Sequence, residues 1–594
     1  MRPSLPSLLP AAVVCLAGTA AAAFHAVPAY YLASTSDDAA LRPPDDVRPH
    51  IKAYNLSVPV DHFHNETKYA PHSHDTFPLR YWLDTTHYRP GGPVIVLHSG
   101  EFDSAGRLAY LDHGIVPLLA AATGGLGLVL EHRYYGTSWP VPDASTHHMR
   151  FLTTAQALAD TAYFARHVAF PGLEHVNLTA PAAPWIIYGG SYAGGLAAMA
   201  RKLYPDVFWG GISSSGVTAA VDRFWEYHEA FRHFAPDGCS DAQQALTDIV
   251  DAILFGGDQD EVDDLKTMFH LAGLQDDEFA TTITGALSGL QSTNWATEDD
   301  EDALSFYCAA ITSTARLFAS TAHLAAKARH FTKLGGHGHN LEQRSAQLLN
   351  WAGYIRNMDK KAKRSSCKGL SNPECYSQRH FPDETAISND MYRPWLWQTC
   401  TEWGYFQNGE DVPKDRLPLL SRAVTVAYST SNCRRFFNIT TPPDVDIINQ
   451  HGGFNFSYPR LAIIDGRQDP WRAATPHADG QPDRVSTTSE PYLVIDWGVH
   501  HWDEFGARPG LHEKGLPPPQ VVDNQRRQVE FVRAWLKEWR ADKGREAQEE
   551  EEDSGCSLQI LAHCLSAHAS IDEKPKHWTV FYVAPAGAAA DAVS

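Results

Sequence analysis

Short apolar runs alternate with helical patterns in the first half of the chain. The runs at residues 93–98 (PVIVLH), 126–130 (LGLVL) and 184–188 (PWIIY) are apolar throughout, as expected of strands buried on both faces. Residues 153–168 and 194–203, which follow two of these runs, have the spacing of helices with one apolar or small-residue face. Strands that alternate with helices indicate a parallel sheet covered by helices on both faces, so the pattern predicts an α/β fold.

This alternation stops near residue 217 and returns near residue 458. The intervening residues 217–457 are mostly helical in character, and we predict that they form a large helical cap inserted into one core. The core would then consist of residues 24–216 and 458–545. Strand patterns return in it at residues 460–464 (RLAII) and 492–495 (YLVI).

Both ends of the chain carry segments that we place outside this core. Residues 1–23 combine Arg2, a short apolar run and small residues up to Ala23, which is the pattern of a cleaved signal peptide. Near the other end, apolar spacing predicts a final helix at residues 525–540. An acidic run follows it, and we predict that residues 546–594 form a solvated acidic tail.

Cysteines and sequons point to a compartment outside the cytosol. The chain has nine cysteines, and loss of Cys15 with the signal peptide leaves an even number, which suits disulfides. No later run is apolar enough to span a bilayer. We therefore predict a secreted or lysosome- or vacuole-like glycoprotein. The candidate glycosylation sites, each in an Asn-x-Ser/Thr triplet, are Asn55, Asn65, Asn177, Asn438 and Asn455.

The charge balance excludes one class of partner. With 49 Lys and Arg against 70 Asp and Glu, the formal net charge is −21 at neutral pH, which disfavours a nucleic-acid-binding face. The 30 histidines outnumber this excess of negative charge, so the net charge changes sign in mildly acidic solution. We expect activity to peak below neutral pH.

One serine lies in the context that a catalytic nucleophile requires. Ser191 stands in the string GGSYAGG, directly between the predicted strand at 184–188 and a small-residue helix. A tight strand-to-helix turn projects the serine hydroxyl, and the following N–H, that of Tyr192, points to the same side as an oxyanion donor. The strict G-x-S-x-G pattern has Gly where Ala193 stands, so a structural glycine turn remains the alternative.

A serine nucleophile needs a histidine base and an acid, and both have candidates after later strands. Asp469 follows the strand at 460–464, and His500 follows the strand at 492–495, which gives the chain order Ser, Asp, His of one class of hydrolase. Asp465 is an alternative acid and His501 an alternative base. No helical H-E-x-x-H is present, so we expect neither a catalytic metal nor a cofactor.

Strings spread along the chain resemble those of a known family. Besides GGSYAGG, these strings are VDHF (60–63), TFPLRYW (76–82), EHRYYGTS (131–138), CTEWGYFQ (400–407), DGRQDPW (465–471) and GVHHWDEF (498–505). In this order they resemble the serine peptidases typified by lysosomal Pro-Xaa carboxypeptidase and dipeptidyl peptidase II, over about residues 55–540. The resemblance implies an α/β-hydrolase core with a helical cap and cleavage after proline.

The resemblance also implies roles for individual residues. Ser191 would be the nucleophile, Asp469 the acid and His500 the base, and Trp471 would lie near the pocket for the proline ring. The stretch after the first core strand, Ser99 to Asp103, departs from the Gly-Asn-Glu-Gly-Asp of relatives, which puts the second oxyanion donor, assigned to Gly100, in doubt. Glu101 is the candidate substrate-binding carboxylate. A partner downstream of CTEWG in relatives implies a Cys400–Cys433 disulfide.

The sequence thus predicts a serine-type exopeptidase that acts on peptide substrates through an acyl-enzyme. It does not distinguish a prolyl carboxypeptidase from a dipeptidyl peptidase, and it leaves a homodimer open. An esterase or lipase on the same fold, and a catalytically silent secreted glycoprotein, are the rival readings.

Overall fold

The computed structural model describes residues 50–296, 303–389, 391–507 and 515–568, with side chains as far as residue 544. The predicted signal peptide lies outside these residues. The described chain forms two units, one ending at Leu536 and one beginning at Lys537. The first unit contains every strand found in the described residues. These are β1 Lys52–Pro59, β2 Thr76–Asp84, β3 Val94–His98, β4 Leu126–Leu130, β5 Trp185–Gly190, β6 Phe208–Ser214, β7 Val221–Arg223, β8 Gly404–Phe406, β9 Leu461–Gly466 and β10 Tyr492–Ile495.

Eight of these strands form one sheet, in the order β1-β2-β4-β3-β5-β6-β9-β10. β2 runs antiparallel to both of its neighbours, and the strands from β4 to β10 run parallel to one another. This strand order with an antiparallel second strand is that of the α/β-hydrolase fold. The predicted fold class is therefore confirmed.

Helices cover both faces of the sheet, as the uninterrupted apolar strands require. Alternate residues of β3 separate into two buried clusters, with Val94 and Val96 on one face and Ile95 and Leu97 on the other. The first face packs against α4 (Thr154–His167) and α5 (Tyr192–Leu203), and the second packs against α2 (Ile115–Thr123) and the start of α18 (Pro519–His568). The remaining core helices are the short α1 (Leu108–Asp112) and α3 (Thr146–Met149).

Helices dominate the segment between β7 and β9, and several of them enclose an apolar core of their own. Three disulfides lie in this cap: Cys239–Cys308, Cys367–Cys375 and Cys400–Cys433, the last as the resemblance implied. The helices are α6 Glu229–Phe234, α7 Cys239–Leu254, α8 Gln259–Met268, α9 Asp276–Thr284, α10 Ala303–Thr312, α11 Ala325–Leu334, α12 Leu341–Ala362, α13 Asn372–Tyr376, α14 Tyr392–Gln398, α15 Val426–Ser429, α16 Ser431–Phe437 and α17 Asp446–Asn449.

Two features differ from the sequence prediction. The cap segment contains strand as well as helix, because β7 pairs with β8 in a separate two-stranded parallel sheet. The final helix, α18, begins before the predicted residue 525 and ends well beyond residue 540. The acidic run at 549–553 lies within it, since glutamate is a good helix former and no proline interrupts the run. Residues 569–594 of the predicted tail lie outside the described residues.

No helix in the described ranges combines the length and the apolar character that a bilayer span requires.

Candidate active site

The turn between β5 and α5 holds Ser191 in a strained conformation. Its φ of 58° and ψ of −131° fall in a region that non-glycine residues rarely occupy, which is the conformation of a nucleophile elbow. The neighbouring glycines leave space for this turn. A Cβ on Gly189 would lie 2.1 Å from the carbonyl oxygen of Ala193, and one on Gly194 would lie 2.6 Å from the Cα of Gly216.

Ala193, which departs from the strict motif, is accommodated by a glycine on another strand end. Gly100 follows β3 with a φ of +69°, and an ideal Cβ on it would lie 3.2 Å from the Cβ of Ala193. The methyl group of Ala193 therefore faces the hydrogen of Gly100. This contact also brings the loop after β3 against the start of α5.

His500 and Asp469 form a buried pair at the carboxyl end of the sheet. The imidazole Nδ1 lies 2.8 Å from Oδ2 of the carboxylate, and the two side chains are 3% and 0% exposed. The Asp469 Oδ1 accepts from the N–H of Trp471, which fixes the carboxylate. On the other side of the ring, Nε2 is buried and has no hydrogen-bond partner among the described residues. His500 thus presents one free nitrogen inside the site.

The two alternative residues face other partners. Oδ2 of Asp465 lies 2.6 Å from Nδ1 of His477, so this carboxylate serves a different histidine. Nδ1 of His501 lies 3.1 Å from Oε2 of Glu504, an ion-pair distance without good hydrogen-bond alignment. Burial, and then repulsion from neighbouring groups that include Arg107, holds the pKa of His501 well below its usual range.

Hydrogen bonds to the last residue of β6 and to the residue after it hold the serine turn and the histidine loop side by side. The N–H of Ser191 donates to the carbonyl of Ser214, and the N–H of His501 donates to the hydroxyl of Ser215, both at 2.9 Å. Asp503 adds a third connection because its carboxylate accepts from the hydroxyls of Tyr188 and Ser214 at 2.7 and 2.6 Å. Sequence reasoning gave no role to Asp503, although it lies within the string GVHHWDEF.

The two expected oxyanion donors differ in availability. Tyr192 is the first residue of α5, so its N–H has no partner within the helix and lies at the positive end of the helix dipole. The N–H of Gly100 instead donates to Nδ1 of His98 at 3.1 Å. Glu101 is half-buried next to this loop. Burial, and then the charges of Glu402 and Glu101, raise the pKa of the Tyr192 phenol.

An aromatic cluster lies beside the histidine pair. The ring of Trp471 has its centroid 6.4 Å from that of His500, and the rings of Phe224, Tyr227 and Tyr405 lie 5.1–5.5 Å from Trp471. Trp471 is 8% exposed, and its indole N–H donates to Gln291 of the cap at 2.8 Å. The sequence placed Trp471 near the site but assigned no role to the other three rings, although Tyr405 lies within the string CTEWGYFQ.

Comparison with known proteins identifies the family. Residues 59–513 match the family described as serine carboxypeptidase S28. The chain belongs to this family. It is 43% identical over 498 residues to a "Probable extracellular serine carboxypeptidase" of Arthroderma benhamiae, covering 83% of this chain and 69% of that protein. It is 30% identical to "Serine protease vicPa" of Bipolaris victoriae, covering 73% of this chain and 81% of the relative. The resemblance inferred from the motifs is thereby confirmed.

A more distant S28 relative is the human "Thymus-specific serine protease". The two chains are 26% identical over 485 residues, which cover 78% of this chain and 83% of that protein. Membership in the serine carboxypeptidase S28 family makes this chain a serine peptidase of carboxypeptidase type.

The string EHRYYGTS (131–138) of this S28 chain has a structural role. Glu131, at the end of β4, accepts hydrogen bonds from the N–H and hydroxyl of Ser104, from the hydroxyl of Ser138 and from the guanidinium of Arg80. A Cβ at position 136 would lie 2.0 Å from the Glu131 carboxylate, so only glycine fits there. The string therefore ties the loop after β4 to β2 and to the loop after β3, close to the site.

All five sequon asparagines of this S28 chain are exposed. They lie on an edge strand, in loops and at a helix end, where a glycan would meet solvent. The prediction that they carry glycans stays a prediction.

Proposed function

We propose that this S28 peptidase cleaves peptide bonds through an acyl-enzyme on Ser191, with His500 as base and Asp469 as the acid that orients it. The observation that carries the proposal is the state of His500. One ring nitrogen contacts Asp469, while the other is buried and has no hydrogen-bond partner in the part of the chain that the structure describes, and His500 lies at the same end of the sheet as the strained Ser191 turn. Catalytic hydrogen bonds are often unformed without substrate, which accords with an unpartnered Nε2.

The geometry supports a definite sequence of proton movements. His500 Nε2 takes the proton of Ser191 as its oxygen attacks the peptide carbonyl, and Asp469 stabilises the imidazolium that results. The N–H of Tyr192 donates to the oxyanion. His500 then gives its proton to the leaving amine, and water repeats the cycle on the acyl-enzyme. Gly100 would serve as a second donor only after its N–H exchanges His98 for the substrate oxygen.

We further propose that cleavage follows a proline and releases a C-terminal residue. Trp471 and its three aromatic neighbours form an apolar cluster beside His500, and an aromatic surface of this kind suits a pyrrolidine ring. The family description favours a carboxypeptidase. Glu101 supports the alternative, dipeptide release, because a carboxylate near the site suits a free amino terminus.

The proposal includes a compartment outside the cytosol. Three disulfides, five exposed sequons and the word "extracellular" in the name of the 43% identical relative support secretion or delivery to a lysosome- or vacuole-like organelle.

A fluorophosphonate probe tests the chemistry first. Wild type should be labelled at Ser191, and Ser191→Ala should not be labelled although it folds. A folded wild type without a Ser191 adduct would favour the silent-glycoprotein reading. Hydrolysis of short-chain esters with no turnover of any peptide would favour an esterase.

Four versions of one Pro-Xaa peptide test the specificity. They carry a free or acetylated amino end and a free or amidated carboxyl end. A carboxypeptidase loses activity only on the amidated versions, and a dipeptidyl peptidase only on the acetylated ones. Replacement of the proline by alanine should lower kcat/KM in wild type far more than in Trp471→Leu.

A further inference from the structure

Histidines gather on the segment between β1 and β2, on the opposite side of β4 from the Ser191 strand. Asp61 follows β1, and His64, His72 and His74 lie in the segment that leads to β2. One ligand atom from each of Asp61, His64 and His72 lies within 4.8 Å of the others. The catalytic proposal uses none of these residues.

The carboxylate of Asp61 is held so that one oxygen faces the histidines. Its Oδ1 accepts from the N–H of Phe63 at 2.9 Å and from the side-chain amide of Gln156, on α4, at 2.7 Å. Its Oδ2 lies 2.7 Å from Nδ1 of His72. Asp61 is 1% exposed, so its orientation is fixed by packing as well as by these two donors.

The histidines are ordered around this oxygen by contacts among themselves. The ring of His64 stacks on that of His74, with centroids 4.6 Å apart and planes at 19°. The same ring meets His72 edge-on at 5.7 Å. His64 and His74 are exposed and His72 is half-buried, so an ion can enter from solvent.

We propose that Asp61, His64 and His72 form a binding site for a divalent transition-metal ion such as Zn²⁺. Two imidazoles and one carboxylate are a donor set that zinc prefers, and water can take the fourth position. Ligand atoms around a tetrahedral zinc lie about 3.3 Å apart. The three ligand atoms here lie within 4.8 Å of one another, so shifts of at most about 1.5 Å bring them to that spacing, and the 2.7 Å contact between Asp61 Oδ2 and His72 Nδ1 opens to it. Carboxylates that bind metals in proteins are usually held in place by further hydrogen bonds, and those from Phe63 and Gln156 to Asp61 Oδ1 would do this here.

Such an ion would act as a structural clamp. Asp61 is bonded to α4 through Gln156, and the adjacent His62 lies 2.7 Å from Asp160 of the same helix. An ion shared with His64 and His72 would connect both ends of the β1–β2 segment to this anchored point. We expect it to raise the melting temperature of the folded protein, because it binds the folded chain in preference to the unfolded one.

Zinc titration of the metal-stripped full-length protein tests the site. The test variant is His64→Gln with His72→Gln. The control is His337→Gln with His339→Gln. The rings of these two histidines stack with centroids 6.0 Å apart, and Nε2 of His337 lies 3.0 Å from the Asp248 carboxylate, so the control also removes two histidines beside a carboxylate. Bound zinc is measured by competition with a chromophoric chelator, and the melting temperature is followed in parallel.

Wild type and the control should bind one zinc equivalent more than the test variant, and zinc should raise their melting temperature but not that of the test variant. Equal zinc affinity and stoichiometry in all three proteins would overturn the proposal. If the test variant does not fold, His64→Gln alone replaces it, because His64 is exposed. Its zinc affinity should fall at least about tenfold, and an unchanged affinity would again overturn the proposal.

Discussion

Two aspartate–histidine pairs lie at the carboxyl end of β9, and they are nearly identical as contacts. Asp469 and His500 are 2.8 Å apart, and Asp465 and His477 are 2.6 Å apart, each through Nδ1 of the histidine. All four side chains are at most 7% exposed. In both pairs Nε2 is buried without a hydrogen-bond partner among the described residues.

The surroundings of the two rings differ. His477 stacks on Tyr492 of the edge strand β10, with centroids 3.6 Å apart. His500 lies beside Trp471. The next residue, His501, donates its N–H to the hydroxyl of Ser215, and the neighbouring Ser214 accepts the N–H of Ser191. An aspartate–histidine contact therefore does not identify a catalytic base by itself. Its position relative to a nucleophile does.

The largest difference in kcat/KM is expected between the variants that lack the histidine of one pair or of the other. His500→Gln should lower kcat/KM by about 10⁴-fold or more, because Ser191 then has no base. His477→Gln should leave kcat/KM close to that of wild type. The measurement is hydrolysis of a Pro-Xaa peptide, with the rate of fluorophosphonate labelling as a second readout. Comparable losses in both variants would contradict the assignment of His500.

The same contrast in kcat is expected when the aspartate of each pair is replaced. Asp469→Asn keeps the shape of the side chain but favours the wrong tautomer of His500, so kcat should fall about 10⁴-fold. Burial raises the pKa of Asp465, and this outweighs the hydrogen bond and the charge of His477. Asp465 contacts His477 and not His500, so kcat of Asp465→Asn should stay near the wild-type value. A large loss of kcat in Asp465→Asn alone would reverse the assignment.

The sequence predicted much of the parallel part of the core because those strands are apolar throughout. Residues 126–130 and 492–495 were predicted with the bounds of β4 and β10, and the runs at 93–98 and 184–188 were within two residues of β3 and β5. The strand character of β1 and β2 was not predicted. β2 alternates buried and exposed residues and contains Pro78, which interrupts a strand pattern.

The order of motifs along the chain was enough to nominate Ser191, Asp469 and His500. The pattern of residues alone could not decide between Asp465 and Asp469, since both follow the same predicted strand at 460–464. Nor could it find Phe224, Tyr227 and Tyr405, whose approach to Trp471 depends on how the cap lies over the core. Contacts between distant segments leave no periodic signal in either segment.

An intermediate effect is expected from closing the space beneath the serine turn. In Gly189→Ala the new Cβ would meet the carbonyl oxygen of Ala193 at 2.1 Å, so α5 must move and take Ser191 with it. A displacement of about an ångström at a nucleophile can cost on the order of 10² in kcat, with a stability loss of about 1–3 kcal/mol. Gly106→Ala is the control because a Cβ there has no atom within 4 Å. Equal kcat in the two variants would show that the turn tolerates this movement.

The smallest effect concerns a buried histidine without a hydrogen-bonded carboxylate among the described residues. Burial lowers the pKa of His228, in the cap, to about 4, whereas an unfolded histidine titrates near ~6.5. Between these values the unfolded chain binds a proton that the folded chain does not. The free energy of unfolding therefore falls as the pH falls from about 6.5 to about 4.

His228→Gln removes this contribution, so its free energy of unfolding should change less across that window than that of wild type, by about 1–3 kcal/mol. Urea unfolding at several pH values measures the difference, and His339→Gln, at an exposed position, is the control. Other groups titrate equally in all three proteins, so the difference isolates His228. Parallel curves for wild type and His228→Gln would mean that His228 accepts its proton in the folded cap.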